Sequence, residues 1–370
     1  MAPESGPPLI RVLLVAPAHM IGGQAHAARD IARGFAADPE IRITVQAIDP
    51  RLGGGLQWLT SAKVLRTFTR PLLFSRQLLR RARRSDVLQV LGAAHTAFLF
   101  GALPAIVIGR LLRRPIILNY HDGRARQHFR YWGPFLRWAI RRVDCIVVPS
   151  RYLQKEFREQ GFKAEVVPNV VDTTAFTYHW PAAVPQRLVS TRLLEPLYAV
   201  EVTLLAFRRL KLDYPDLVLD IYGDGAAGAR LRDLVRRLEL RGVTFHGEIA
   251  HSRMPEVLAQ GGIMVNSSRV DNMPHFVLEA YAAGLPIVST AVGGIPYMID
   301  PDRTGLLVPP DDPDRLAAAV HRLLSDPQLA LKLGEEGHRE TPRYTWSHAQ
   351  QEWRRVYRNV AAKRSRQEGA

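Results

Sequence analysis

Apolar runs of strand length recur along this chain, each followed by a stretch with helical spacing, and that alternation admits few architectures. The first series is IRVLLVA (10–16), VLQVLG (87–92), PIILNY (115–120) and CIVVPS (145–150). After the first run, Gly22 and Gly23 open a helical pattern carried by Ala25, Ala28, Ile31, Ala32 and Phe35. A Pro-containing stretch, YHWPAAVPQ (178–186), reads as a linker. A second series follows: RLVSTRLL, LVLDIYG, VTFHG, IMVNSS, IVSTAVGG and GLLVPP, again with helical segments between. Such strands belong to parallel sheets covered on both faces. The expected architecture is α/β, with two Rossmann-like domains facing across a cleft. The first spans residues 1–180 and the second 181–345; residues 346–370 form a helix that crosses back to the first domain and ends in a frayed tail. Ligands of such sheets sit at the carboxyl ends of the strands, although the fold alone does not say which ligand.

A length of 370 residues with 47% hydrophobic composition suits two packed cores. The single cysteine, Cys145, lies in an apolar run, which predicts a small core residue and excludes an internal disulfide. The N-terminus lacks a basic region followed by a long apolar stretch, and the best apolar run, 97–112, is shorter than a bilayer span and contains Arg110. A cytoplasmic protein, soluble or bound at the inner membrane surface, is the expectation.

The net charge of +15 is uneven: residues 1–180 carry +14 and residues 181–370 carry +1. From Arg51 to Arg84 there are nine cations and no carboxylate, interleaved with Trp58, Leu65, Phe68, Leu72, Leu73, Phe74, Leu78 and Leu79. Three readings stay open for this basic amphipathic stretch: a pair of helices on an anionic membrane, a nucleic-acid patch, or a solvated helix face. No helix-turn-helix, zinc or RNA-binding signature accompanies the charge, so no nucleic-acid partner is expected.

Gly223 to Gly228 read GDGAAG, which matches GxGxxG after a strand, with Glu248 about twenty residues on. The match falls on the second strand of its domain, whereas the dinucleotide fingerprint belongs to the first. Gly223 is therefore read as a turn that lets a helix approach the sheet, with a nucleotide contact as the functional alternative. GxxxxGK[ST], GxSxG, HExxH and paired CxxC are absent. No Asp-x-Asp ends a strand as a metal clamp would; DDPD (311–314) suits a helix cap, and no metal or cofactor is expected.

The densest signal is RVDNMPHFVLEAYAAGLPIVSTAVGGIPYMI, from Arg269 to Ile299. A helix is expected from Asn272 or Met273 to Gly284, with Pro274 in its first turn, and a second helix at Gly293-Gly294. Two helix amino ends would then attract phosphate without a metal. Asp271 and Glu279 are eight positions apart, about 12 Å at the helical rise, which suits acceptors at two ends of a long ligand. The bland alternative makes Asp271 a helix-end residue and Glu279 a solvated one, but Glu279 lies in a largely apolar helix.

These residues resemble glycosyltransferase family four, of the GT-B fold, and the resemblance covers nearly the whole chain. The family hallmark is Glu, seven residues, Glu, beside Pro, Glu-Ala and Gly-x-Pro, and DNMPHFVLEAYAAGLPIVST matches it with Asp271 and Glu279 in the acidic places. The resemblance implies that Asp271, with backbone amides near Phe276 and Val277, contacts the donor sugar and that Glu279 holds the ribose. It implies that Arg192, in RLVSTRLLEP, binds the diphosphate and that Gly293-Gly294 forms a phosphate loop. Gly22-Gly23 resembles the glycine loop near the donor phosphates and the acceptor. His121, in NYHDG, resembles the histidine near the reacting centre, although by itself a structural or capping role suits it as well.

The chain departs from the family pattern at three points. Leu197 stands where a lysine is usual, five residues after Arg192; Tyr297 replaces a glutamate; and Asn169-Val170-Val171-Asp172 replaces NGVD. Arg124, Arg126 and Arg269 are the candidates to replace the missing cation. The implied activity is retaining, metal-independent transfer of a sugar from a nucleoside diphosphate to an acceptor hydroxyl. Arg192, His121 and Asp271 are its catalytic candidates, and an acceptor glycan or lipid-linked sugar is its partner. The alternative is a sugar-nucleotide-binding or scaffold protein of the same fold that has lost catalysis.

Overall fold

A computed structural model of the protein describes residues 9–17, 23–49, 65–92, 98–178 and 184–368. Gly22 and the first part of the basic stretch, 51–64, lie outside the described residues. The chain divides into two compact units, Met1–Asn169 with Trp346–Ala370, and Val170–Thr345. The first changeover therefore precedes the Pro-containing stretch at 178–186.

The first unit contains strands β1 (Ile10–Ala16), β2 (Ile41–Ala47), β3 (Val87–Gly92), β4 (Ile116–Tyr120), β5 (Cys145–Val148) and β6 (Glu165–Val166). Their order is β2-β1-β3-β4-β5-β6, all parallel. Helices α1 (Gly23–Gly34), α2 (Leu65–Ala82), α3 (Leu103–Leu111), α4 (Ala125–Ile140) and α5 (Arg151–Glu159) connect them. Leu13 and Val15 face a core shared with Phe74, Phe98, Ile106, Leu136 and Phe157. Val12 and Leu14 are equally buried, which is how a strand covered on both faces loses its polar alternation. Cys145 is half-buried, and burial pushes its thiol up to about 12, which leaves it an unreactive thiol.

One helix is described within the basic stretch. In α2, Phe74, Leu78 and Ala82 are buried while Arg76, Arg80 and Arg81 are exposed. The apolar run at 97–112 folds as a π-helical turn, Phe98–Ala102, followed by α3. Among the described residues no helix is long and apolar enough to cross a membrane.

The second unit contains β7 (Arg187–Ser190), β8 (Val218–Tyr222), β9 (Val243–Gly247), β10 (Ile263–Val265), β11 (Ile287–Thr290) and β12 (Leu306–Val308). Its helices are α6 (Val200–Leu210), α7 (Gly228–Arg237), α8 (Met254–Ala259), α9 (His275–Ala283), α10 (Pro313–Ser325) and α11 (Pro327–Arg339). The strand order is β12-β11-β10-β7-β8-β9, again all parallel. Connections run outward from β7 on one side and from β10 on the other, so the topology reverses between these two neighbours. A doubly wound sheet opens its ligand crevice at that switch point, beyond the carboxyl ends of the strands. Period-two alternation divides the strand residues between two cores: Leu188, Ile263, Val265 and Val288 face one, and Val189, Met264 and Ile287 the other.

The last helix, α12 (Trp346–Glu368), belongs to the first unit. The Trp346 indole N–H donates to the Gly34 carbonyl at 3.0 Å, and its ring meets Phe35 edge-on at 5.3 Å. Arg354 pairs with the fully buried Asp38 carboxylate at 2.6 Å, and the Tyr357 hydroxyl donates to Gln89 on β3.

Candidate functional site

Arg192 leaves the carboxyl end of β7, and Asp271 leaves that of β10 after six residues, so the two loops at the switch point carry opposite charges. Arg192 Nη2 donates to Asp271 Oδ2 at 2.7 Å. Side-chain exposure is 11% for the arginine and 10% for the aspartate, so the pair is largely withdrawn from water. The guanidinium carbon stands 3.9 Å from the ring centroid of Tyr198 and 5.2 Å from that of Phe276. Arg192 Nε is buried and has no hydrogen-bond partner among the described residues. An arginine fork with a spare donor in a dry site fits a polyanionic ligand.

Two glycine pairs allow these loops their positions. A Cβ on Gly223 would lie 2.2 Å from the Arg192 carbonyl oxygen, and one on Gly225 would lie 2.6 Å from that of Leu194. Both have positive φ, +134° and +158°. GDGAAG therefore serves as a bed for the Arg192 loop, further fixed by Leu194 N–H to Asp224 O and Ala227 N–H to Leu194 O. On the acidic side, a Cβ on Gly293 would lie 1.9 Å from the Asp271 carbonyl oxygen and one on Gly294 1.7 Å from that of Asn272. Gly294 N–H donates to the Asp271 carbonyl at 3.1 Å. The second helix expected there is a single 3₁₀ turn, Ile295–Tyr297, too short to build a macrodipole, and Gly293-Gly294 buttresses the acidic loop.

The first helix of the segment also starts later than expected. α9 begins at His275, with Pro274 in extended conformation at the cap position and no side-chain cap, because proline disfavours a helical residue before it. Asp271 thus lies in a loop, and the helical rise does not measure its distance from Glu279. The Val277 amide is engaged by the Pro274 carbonyl at 3.3 Å; the Val277 side chain and Phe276 are buried. Every residue from Phe276 to Ala283 is buried.

That burial decides the state of Glu279. Its side chain is 6% exposed, and His251 Nδ1 lies 3.4 Å from Oε1. Desolvation pushes the carboxyl up to about 7, with Arg192 drawing it back. Desolvation raises Asp271 as well, against Arg192, the Asn272 amide and the Ser268 hydroxyl. Both acids therefore depend on the one guanidinium. Between about pH 4.5 and 7 the folded chain keeps the Glu279 proton that the unfolded chain releases, so stability from this group falls as pH rises through that window. We expect Glu279→Gln to stabilise the protein above pH 7, by roughly 3 kcal/mol at most, and to change little near pH 4. Melting curves at pH 4, 6 and 8 test this; an equal shift at all three would contradict it.

Beneath the pair lies a buried polar layer at the ends of β10 and β11. Asn266 Nδ2 donates to Ser289 Oγ at 2.9 Å, Ser268 Oγ to Asn266 Oδ1 at 2.7 Å, and Thr290 Oγ1 to the Ser268 carbonyl at 2.6 Å. Satisfied networks of this kind fix a loop in one arrangement.

The candidates for the missing cation are otherwise engaged. Arg124 pairs with Asp122 at 2.8 Å and Arg126 with Glu156 at 2.9 Å, both in the first unit. Arg269 holds Asp311, Glu201 and the Pro196 carbonyl at 2.7, 3.1 and 2.8 Å. Gly23, the first residue of α1, and His121 also lie in the first unit. His121 follows β4, its amide donates to the Gly92 carbonyl at 3.1 Å, and burial lowers its pKa to about 4, leaving a neutral imidazole at pH 7. Tyr198 and His251 are not singled out in the sequence, since each lies in a short 3₁₀ turn and carries no motif.

Comparison with known proteins covers both units. The family model "Glycosyl transferases group 1" matches residues 185–340, and "Glycosyltransferase Family 4" matches residues 21–175. Glycogen synthase of Mycobacterium tuberculosis is 28% identical over 279 residues, 71% of this chain and 67% of that protein. An exopolysaccharide phosphotransferase of Streptomyces coelicolor is 33% identical over 229 residues, 60% of this chain; the match spans 24% of that protein. Among solved structures, Anabaena HepE, crystallised with UDP, superposes with a TM-score of 0.72 at 16% identity, covering 95% of this chain and all of that one. With a family model on each unit and a structural neighbour that overlaps almost end to end, the chain belongs to glycosyltransferase family four and has the GT-B fold.

Proposed function

We propose that this chain transfers a sugar from a nucleoside diphosphate to an acceptor hydroxyl with retention at the anomeric carbon and without a metal ion. The observation that carries the reading is Arg192 at the switch point, nearly buried, braced by two rings and the Asp271 carboxylate, with Nε free to donate among the described residues. As the anomeric C–O bond breaks, negative charge develops on the departing diphosphate, and a fixed guanidinium in a dry site stabilises it. The acceptor oxygen bonds to the anomeric carbon on the same face, and its proton passes to a departing phosphate oxygen. Asp271 contacts sugar hydroxyls, Glu279 accepts from the ribose, and His121, neutral at pH 7, orients groups near the reacting centre. By the family resemblance, Gly22 and Gly23 serve the donor phosphates and the acceptor.

The acceptor is proposed to be a lipid-linked or cell-envelope glycan, reached at the inner face of the membrane. The +14 charge of residues 1–180 and the exposed arginines of α2 support that reading. Sedimentation with anionic liposomes at moderate salt tests it, and indifference to lipid charge counts against it.

The donor is tested by thermal shift against UDP-, GDP-, ADP- and TDP-sugars, since a ligand of the folded state raises the melting temperature. Proton NMR of the product then reads the anomeric configuration, and activity unchanged by EDTA is expected. Leu197 and Tyr297 favour a second reading, a sugar-nucleotide-binding protein without catalysis. Donor binding with no nucleoside diphosphate released in the presence of acceptors would assign it.

A further inference from the structure

Leu197, where the family resemblance expects lysine, sits in a tightly held turn. Pro196, Leu197 and Tyr198 form one 3₁₀ turn closed by Ala199, a non-glycine residue at φ +48°. Each carbonyl of the turn is held from the loop after β10. Arg269 Nη1 donates to Pro196 O and Arg269 N–H to Leu197 O, both at 2.8 Å. Ser267 Oγ lies 3.3 Å from Tyr198 O and 2.8 Å from Ala199 O. A buried αL alanine and four anchored carbonyls leave the turn one conformation, and that conformation lays the Tyr198 ring 3.9 Å from the Arg192 guanidinium carbon.

We propose that Tyr198 is a positioning residue for the donor diphosphate, pressing Arg192 into a fixed plane so that one ordered cation serves where a second charge is missing. The inference rests on the reading of Arg192 as the diphosphate-binding cation. A ring over a guanidinium attracts it electrostatically and narrows its rotation, and the attraction grows as water is excluded. Flanked by Phe276 on α9 and tied to Asp271 through Nη2, Arg192 has its buried Nε without a hydrogen-bond partner among the described residues, and so available to phosphate oxygen. Leu197 enters through its backbone, whose carbonyl accepts from the Arg269 amide and so holds the turn.

The test is calorimetric titration of UDP, GDP, ADP and TDP, and of the matching nucleoside of whichever binds, into the full chain and its Tyr198→Phe, Tyr198→Leu and Arg192→Ala variants. Tyr198→Phe keeps the stacking face and should bind the diphosphate within about twofold of wild type. Tyr198→Leu should lose about tenfold for the diphosphate while the nucleoside is unaffected. Equal losses for nucleoside and diphosphate would show a general structural role and overturn the proposal, as would wild-type diphosphate affinity in Tyr198→Leu. Should Tyr198→Leu fail to fold, Tyr198→Met carries the same comparison. Arg192→Ala separates the two readings: unchanged diphosphate affinity there removes the phosphate role of Arg192 itself, whereas a loss confined to Arg192→Ala removes only the role of Tyr198.

Discussion

Gly294→Ala should abolish donor binding and destabilise the second unit by about 3 kcal/mol, an effect out of proportion to one methyl group. Its backbone, at φ −87°, suits any residue, so the cause is not conformational freedom. The added Cβ would stand 1.7 Å from the Asn272 carbonyl oxygen, an atom fixed in the main chain that carries Asp271. Relief requires the acidic loop to move, which withdraws Asp271 from Arg192 and leaves both charges desolvated without their partner. Gly133→Ala is the control: the nearest atom to its Cβ is the mobile tip of Arg137 at 3.3 Å, and a change within about 1 kcal/mol is expected. Thermal melts of both variants, with nucleoside diphosphate titration, check the contrast; similar melting temperatures for the two would refute it.

Arg192→Met should lower turnover by about 10²- to 10³-fold, the usual loss when a preorganised donor to developing negative charge is removed. It should also cost about 3 kcal/mol of stability, because Asp271 is left as an uncompensated carboxylate in a site that excludes water. Glu279, already raised to about 7 with Arg192 nearby, responds by holding its proton to higher pH. The two consequences separate in the double variant. Arg192→Met with Asp271→Asn removes the unpaired charge, so stability should recover while turnover stays low. Melting temperature and nucleoside diphosphate release from single and double variants decide the matter, and a double variant no more stable than the single one would sink the account.

Much of this was legible in the chain itself. Ten of the twelve described strands were visible as apolar runs, because parallel strands are buried on both faces, whereas β2, with polar and exposed residues along it, and the two-residue β6 gave no such run. The burial of Glu279 followed from its apolar neighbours Leu278 and Ala280. The Asp312 cap on α10, accepting from the Arg315 amide at 2.9 Å, was readable from DDPD. What escaped depends on contacts between distant positions. Arg192 and Asp271 are 79 residues apart, and no local pattern says that each is the other's partner. The start of α9 was placed too early because Pro274 was read as a first-turn residue, whereas it stands at the cap. Gly293-Gly294 carried the sequence signature of a helix start, but the glycines answer to the carbonyls of Asp271 and Asn272, which only the folded chain brings near. Tyr198 was hidden for the same reason: its value lies in a turn anchored by Ser267 and Arg269.

The final helix also sets an order of assembly. Trp346 covers Gly34 and Phe35, Arg354 neutralises Asp38, and Tyr357 reaches Gln89, so the first unit draws part of its core from residues synthesised after the whole second unit. The second unit lies wholly between the two pieces, from Val170 to Thr345. During synthesis it can complete its sheet while the N-terminal unit still waits, with one apolar face uncovered, for a segment more than three hundred residues from Gly34. Closing that loop is the slow, long-range step. A stop codon shortly before Trp346 would therefore damage the half of the protein made first and spare the half made second.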